Sequence, residues 1–238
     1  MRAFYDREHS QGRTSCGPDG AELQRRLDIL TGRLRKRDAR VLDVGTGPGT
    51  FVRAARLRGL RAVGCELSFA AFARRPGPFP AFVGSLDAVR REPRFDAVCF
   101  WDVLEHLAQP LDTLRKAHKL LTPHGIVAVS MPNHRSTARA LQGWRWPYYE
   151  FASHGHLLHL SLRQVHILLR RVGLRPVYWE TRGSADLRAA AFVRRLRPQP
   201  AAAWIADGLS GLLARVAVRF GFGNTLVVLA ARSGDADR

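Results

Sequence analysis

Two carboxylates, Asp43 and Glu66, stand where a chain of this kind can hold a charged small molecule. Asp43 lies in Val41-Leu42-Asp43-Val44-Gly45-Thr46-Gly47-Pro48-Gly49-Thr50-Phe51, an apolar run that carries an acid and leads into glycines at every second position. Such a pattern describes a buried strand entering a turn whose backbone must approach a ligand closely. Gly45, Thr46, Gly47 and Gly49 belong to that turn. Glu66 follows roughly 20 residues later, at the end of Arg61-Ala62-Val63-Gly64-Cys65-Glu66, the distance at which doubly wound folds place an acid to accept both ribose hydroxyls. Together they describe a nucleotide-type pocket. The dinucleotide fingerprint requires G-x-G-x-x-G, and Thr50 occupies the place of its third glycine, which disfavours NAD.

A second constellation, Asp102-Val103-Leu104-Glu105-His106, directly follows the apolar run Phe95–Trp101. The carboxyl ends of strands form the ligand crevice of open α/β sheets, so an imidazole there, with an ordinary pKa near 6.5, is a candidate general base. His106 is that candidate; capping a helix or orienting Glu105 is its alternative role. Further on, Trp144, Trp146, Tyr148 and Tyr149 precede His154, His156 and His159, a composition that suits a substrate-facing lid. His156 and His159 are rival bases. No acid or cysteine accompanies the three histidines locally, so no metal site is expected from them.

The first motif, apolar-apolar-Asp-x-Gly-x-Gly-x-Gly, resembles that of class I S-adenosylmethionine-dependent methyltransferases. F-D-A-V-x-x-x-D-V-L-E-H-L, from Phe95 to Leu107, closely resembles a motif of the group that includes ubiquinone-pathway and glycan-modifying methyltransferases, and G-W…H-L-x-H-x-S in the lid is similar to a segment of the same group. The resemblance implies S-adenosylmethionine as cofactor, whose ammonium and sulfonium suit a carboxylate such as Asp43. It places Asp43, Gly45, Thr46, Gly47, Gly49, Glu66, Leu67, Ser85, Leu86 and Asp102 around the cofactor, with Ser85 toward the adenine amine and Leu86 on the ring. In ubiquinone-pathway members an acid-x-x-Glu-His cluster is associated with a divalent cation, and Asp102, Glu105 and His106 match that spacing. Enzymes that methylate exocyclic amines of nucleic-acid bases carry an N/D-P-P-Y/F turn here, and cytosine C5 enzymes a Pro-Cys nucleophile; this chain has neither at that place.

The elements that must position these residues follow from periodicity. Leu23, Leu27, Leu30 and Leu34 mark an amphipathic helix. Strands are expected at Val41–Val44, Arg61–Glu66, Ala81–Gly84, Phe95–Trp101, Ile126–Met131, Pro176–Trp179 and Thr225–Ala231, with helices between them. Among these helices are Leu67–Arg75, one from Leu111 to Leu121 ended by Pro123 and Gly125, and one opened by a capping box from Ser161 to Gln164. Regular alternation specifies an α/β fold, a doubly wound, mostly parallel sheet covered on both faces. The resemblance makes it seven-stranded and Rossmann-like, with the last strand antiparallel between the fifth and sixth. One domain is expected: an arm and helix (1–37), a cofactor-binding half (38–133), a substrate lid (134–160) and a C-terminal half (161–238). Tyr5 in the arm is a lid candidate, a mobile terminus being its alternative. The apolar stretch 201–220 is expected to form a packed helix; a dimer contact or a peripheral membrane face is the alternative.

Composition bounds the partners. The cysteines Cys16, Cys65 and Cys99 form no C-x-x-C pattern, against a disulfide framework, zinc or iron–sulfur site. No apolar secretory signal is present near Met1, so a cytoplasmic location is expected. The net charge of +18 suggests nucleic acid, an anionic surface or acidic substrates. Arginines spread along the chain argue instead for background composition, and the dense run Arg33, Arg35, Lys36, Arg37, Arg40 is read as a solvated helix end. The functional expectation is methyl transfer to a small-molecule, glycan or lipid-precursor acceptor, O-methylation favoured. An RNA methyltransferase and a non-catalytic cofactor-binding protein are the alternatives.

Overall fold

The computed structural model describes residues 20–73, 77–89, 94–149, 151, 155–183 and 216–232. Tyr5, Cys16, His154 and all but the last few residues of the 201–220 stretch lie outside the described residues. Strands β1 (Arg40–Val44), β2 (Arg61–Glu66), β3 (Ala81–Val83), β4 (Phe95–Trp101), β5 (Leu121–Pro132), β6 (Leu174–Arg182) and β7 (Thr225–Arg232) form one sheet in the order β3-β2-β1-β4-β5-β7-β6. The pairs among β1 to β5 are parallel, while β7 is antiparallel to both β5 and β6 between which it lies. The expected topology is therefore observed. Strand order reverses where β1 meets β4, the switch point at which open α/β sheets bind ligands beyond their carboxyl ends.

Side-chain alternation explains how both faces are covered. Leu42, Val98, Phe100, Val127 and Val129 point to one face, where helices α4 (Pro110–Leu120) and α6 (Leu162–Arg171) supply Leu114, Ala117, Val165 and Leu169. Val41, Ala97, Cys99, Trp101 and Ala128 point to the other, against Leu23, Leu27 and Leu30 of α1 (Gly20–Thr31) and Phe51, Val52 and Ala55 of α2 (Thr50–Leu57). Parallel strands buried on both faces require such coverage. The capping box forms as read: Gln164 Oε1 accepts from the Ser161 amide at 2.8 Å. In the segment read from sequence as a lid, α5 (Thr137–Gln142) and short 3₁₀ turns at Gly143–Arg145 and Pro147–Tyr149 lead from β5 toward α6.

Several boundaries differ from those expected. β5 begins at Leu121, so Pro123 and Gly125 lie inside the strand. The ladder absorbs them as a bulge, pairing Phe95 with Leu121 and then Ala97 with Ile126. The helix after β2, α3 (Phe69–Ala73), starts later because Ser68 Oγ accepts from the Ala71 amide at 3.1 Å, and residues 74–76 are outside the described set. β6 is longer than Pro176–Trp179, since β7 supplies partners from Leu174 to Arg182. Of the apolar 201–220 stretch, only Val216–Phe220 is described, its first four residues helical. Among the described residues no helix is long and apolar enough to cross a membrane.

Candidate active site

The carboxyl ends of β1, β2 and β4 open onto a cavity of about 480 Å³. Asp43, Gly45, Thr46, Gly47, Glu66, Leu67, Ser85, Leu86, Asp102 and His106 all line it, so residues distant in sequence meet as expected. Gly49 does not. It is the N-cap of α2 with φ 79°, and a Cβ there would meet the Phe79 ring at 2.2 Å. Gly45, at φ 70°, is pressed against Val103, 2.7 Å from where its Cβ would stand. Glycine is thus required twice, once for the turn beneath the cavity and once for the helix behind it.

Asp43 is buried, and Thr46 Oγ1 donates to its Oδ2 at 2.8 Å. Burial pushes its carboxyl up to about 7; the Thr46 hydrogen bond and the Arg26 charge oppose the shift, and Glu66 adds to it. Glu66 is held by backbone, its Oε2 accepting from the Gly47 amide and Oε1 from the Ser68 amide, each at 2.9 Å. The glycine turn and the acid of β2 therefore fix one another. Leu86 is buried at the start of a 3₁₀ turn, and Ser85 Oγ caps that turn, accepting from the Asp87 amide at 3.2 Å.

Asp102 has φ 58°, a left-handed conformation that non-glycine residues seldom adopt. Its amide donates to the Ser130 carbonyl and its Oδ1 accepts from Ser130 Oγ, both at 3.0 Å. Its Oδ2 accepts from Arg26 Nη2 at 2.6 Å. Arg26, from α1, is 5% exposed, lines the cavity and lies over the Trp101 ring at 5.2 Å. Sequence reading missed it. The available signal was a charged residue inside the Leu23, Leu27, Leu30 stripe, where solvent cannot be its reason.

The segment after β4 packs against the 134–160 segment. The Glu105 carbonyl accepts from the Leu157 and Leu158 amides at 2.8 and 3.0 Å, which pins the lid to the strand end. Its carboxyl is buried with no hydrogen-bond partner among the described residues, and burial, with the nearby Asp102 charge, pushes it well above the usual carboxylate range. His106 Nδ1 lies 3.1 Å from the Gly155 carbonyl oxygen. A carbonyl only accepts, so Nδ1 carries a proton; in the neutral ring Nε2 is then the basic nitrogen. The His106 and His156 rings are 4.7 Å apart, and His156 stacks on Tyr148 at 5.4 Å. Buried Trp146 packs edge-on to Tyr148 and Tyr149 and organises the lid.

The metal-ligating geometry differs from either grouping considered in the sequence. Glu105, His106 and His156 bring donor atoms within 4.8 Å of one another. Asp102 is instead committed to Arg26 and Ser130, and His159 Nε2 donates to the Tyr148 carbonyl at 2.8 Å.

Residues 19–178 match the family described as "Methyltransferase domain". The chain belongs to that family. The chain is 32% identical over 125 residues to a "Ubiquinone biosynthesis O-methyltransferase" of Xanthomonas oryzae, covering 49% of this chain and 52% of the relative, so it spans about half of that relative's length. Its fold is that of an S-adenosylmethionine-dependent methyltransferase from Archaeoglobus fulgidus, with TM-score 0.64 at 17% identity over 89% of this chain and 94% of that one. It also matches the 1,6-didemethyltoxoflavin-N1-methyltransferase of Burkholderia thailandensis, solved with S-adenosylhomocysteine, with TM-score 0.61 and 19% identity over 98% of this chain and 87% of that one. S-adenosylmethionine is the cofactor that this family and fold imply. The cavity fits it: an acid at each of two strand ends, a glycine turn between them and a buried guanidinium opposite.

Proposed function

We propose that this methyltransferase methylates a hydroxyl oxygen of a small-molecule, glycan or lipid-precursor acceptor, with His106 as general base. The observation that carries the proposal is the Nδ1 contact of His106 with the Gly155 carbonyl, which leaves Nε2 as the basic nitrogen of a side chain lining the cavity. Likeness to ubiquinone-biosynthesis O-methyltransferases supports oxygen as the methylated atom.

Each residue then has a task. Asp43 balances the cofactor's positive charge, Glu66 accepts the ribose hydroxyls, and Leu67 and Leu86 pack on the adenine beside Ser85. The Gly45–Gly47 backbone allows close approach, Gly49 starts α2, Asp102 borders the amino-acid end, and Arg26 receives the α-carboxylate. S-adenosylmethionine would supply an electrophilic methyl group to the acceptor oxygen, its neutral thioether being the leaving group. His106 Nε2 takes the hydroxyl proton, while the Trp146-centred lid excludes water and aligns the acceptor. The test is incubation with methyl-labelled cofactor and fractionated cell extract, with the labelled product identified by mass spectrometry. Label on a hydroxyl of a small molecule, glycan or lipid precursor is expected; label on RNA overturns the proposal.

A second reading is favoured by the Glu105, His106 and His156 donor atoms and by the Glu105 carboxyl oxygens, which have no hydrogen-bond partner among the described residues. These residues would hold a divalent cation, which would supply Lewis-acid polarisation of the acceptor hydroxyl. Metal analysis of the purified protein and of Glu105→Gln separates this reading from the first. Stoichiometric metal lost in the variant would favour it.

A further inference from the structure

Arg26 is held from behind as well as from the cavity side. Its Nε donates to Glu22 Oε1 at 3.1 Å, one turn earlier on α1, while Nη2 binds Asp102 at 2.6 Å. Glu22 Oε2 is in turn ion-paired with Arg182, near the end of β6. Charges therefore alternate along a chain of four side chains, Asp102, Arg26, Glu22 and Arg182. The adjacent residue of α1 is tied to the same strand: Arg25 Nε donates to Glu180 Oε1 at 2.9 Å, and Tyr178 Oη donates to Glu180 Oε2 at 2.8 Å.

An isolated ion pair one turn apart on a helix contributes little. This one differs because its guanidinium is 5% exposed and lines the cavity. Guanidinium offers five N–H donors in a rigid fork, so anchoring Nε and one Nη2 hydrogen fixes the plane and direction of the others. Among the described residues no acceptor takes the Nη1 hydrogens. Without Glu22, the Asp102 contact alone would leave the fork free to rotate about a single bond, and its remaining donors would lose their direction.

We propose that Glu22 and Arg182 are positioning residues for cofactor recognition: Arg182 holds Glu22, and Glu22 orients Arg26 so that its remaining donors meet the cofactor's α-carboxylate. The inference rests on the reading of Arg26 given above. It also couples the docking of α1 on β6 to cofactor binding, and such coupling is reciprocal. S-adenosylhomocysteine should then slow amide exchange in α1 more than its decarboxylated counterpart does.

The test is titration calorimetry of S-adenosylhomocysteine and of its decarboxylated counterpart on the full chain and on Arg26→Gln, Glu22→Gln and Arg182→Gln. The unaltered chain should prefer the carboxylate-bearing ligand by about tenfold or more, the scale of hydrogen bonds to charged groups. Arg26→Gln should abolish the preference. Glu22→Gln should cut it by about 5-fold and Arg182→Gln by a smaller factor, while the decarboxylated ligand binds within about twofold throughout. If Glu22→Gln does not fold, Arg182→Gln, whose side chain is 35% exposed, carries the test. Full preference in both variants, or equal weakening of both ligands, overturns the positioning role and leaves Arg26 as proposed. No preference in the unaltered chain, or an undiminished one in Arg26→Gln, overturns the reading of Arg26 itself.

Discussion

Asp43 should make cofactor binding depend on pH in a way that can be worked out from its surroundings. Without ligand, burial holds the carboxyl at about 7, far above its ordinary 3.8. A bound ammonium and sulfonium favour the ionised form and should return it to the ordinary carboxylate range. At pH 6 the free site is then only about one-tenth ionised and at pH 8 about nine-tenths, so affinity should rise about tenfold between them. At pH 7 about half a proton should leave per ligand bound. Calorimetry in buffers of differing ionisation enthalpy measures both quantities, and Asp43→Asn should flatten the profile and release no proton. Affinity that is level from pH 6 to 8, or a slope that survives in Asp43→Asn, refutes the reasoning. The same shift bears on stability. Because the folded-state pKa lies above the unfolded one, the stabilising share is complete below about 4 and lost as pH rises through about 7, at most about 4 kcal/mol. The empty Asp43→Asn protein should therefore melt higher than the parent at pH 8 and similarly at pH 4.

Other perturbations give further tests. Glu66→Ala removes a charged acceptor held by the Gly47 and Ser68 amides and should weaken S-adenosylhomocysteine by about 1.5–3 kcal/mol in calorimetry, with NAD binding to neither protein. Gly49→Ala forces a Cβ into the Phe79 ring at φ 79° and should lower thermal stability by about 1–3 kcal/mol while weakening the cofactor. If the +18 charge is compositional, filter binding across a salt series should show RNA association that is weak, unselective and lost near physiological salt.

What was legible in the sequence was what neighbouring residues determine. The strand into the glycine turn, Glu66 at the end of the next strand and the Asp102–His106 segment each depend on local backbone geometry, and the cavity collects them as expected. Arg26 was not legible, because its reason is a carboxylate just past the end of β4, 2.6 Å away only after α1 packs on Trp101. The pairing of Glu105 and His106 with His156, and not with Asp102, likewise depends on the lid hydrogen-bonding back to the Glu105 carbonyl. Pro123 and Gly125 misled because turn formers also fit a bulge, where the ladder skips them. Gly49 read as a ligand contact but serves the helix behind the cavity, a distinction that spacing alone does not carry.

General-base O-methylation turns most directly on His106. With the acceptor identified, single-turnover transfer of labelled methyl should be compared between the parent and His106→Ala at saturating cofactor. Loss of a general base predicts a rate lower by about 10²–10⁴-fold, with label on the acceptor oxygen in the parent and S-adenosylhomocysteine affinity unchanged within about twofold. A His106→Ala protein that transfers the methyl at the parental rate, or label arriving on an atom other than oxygen, would contradict it.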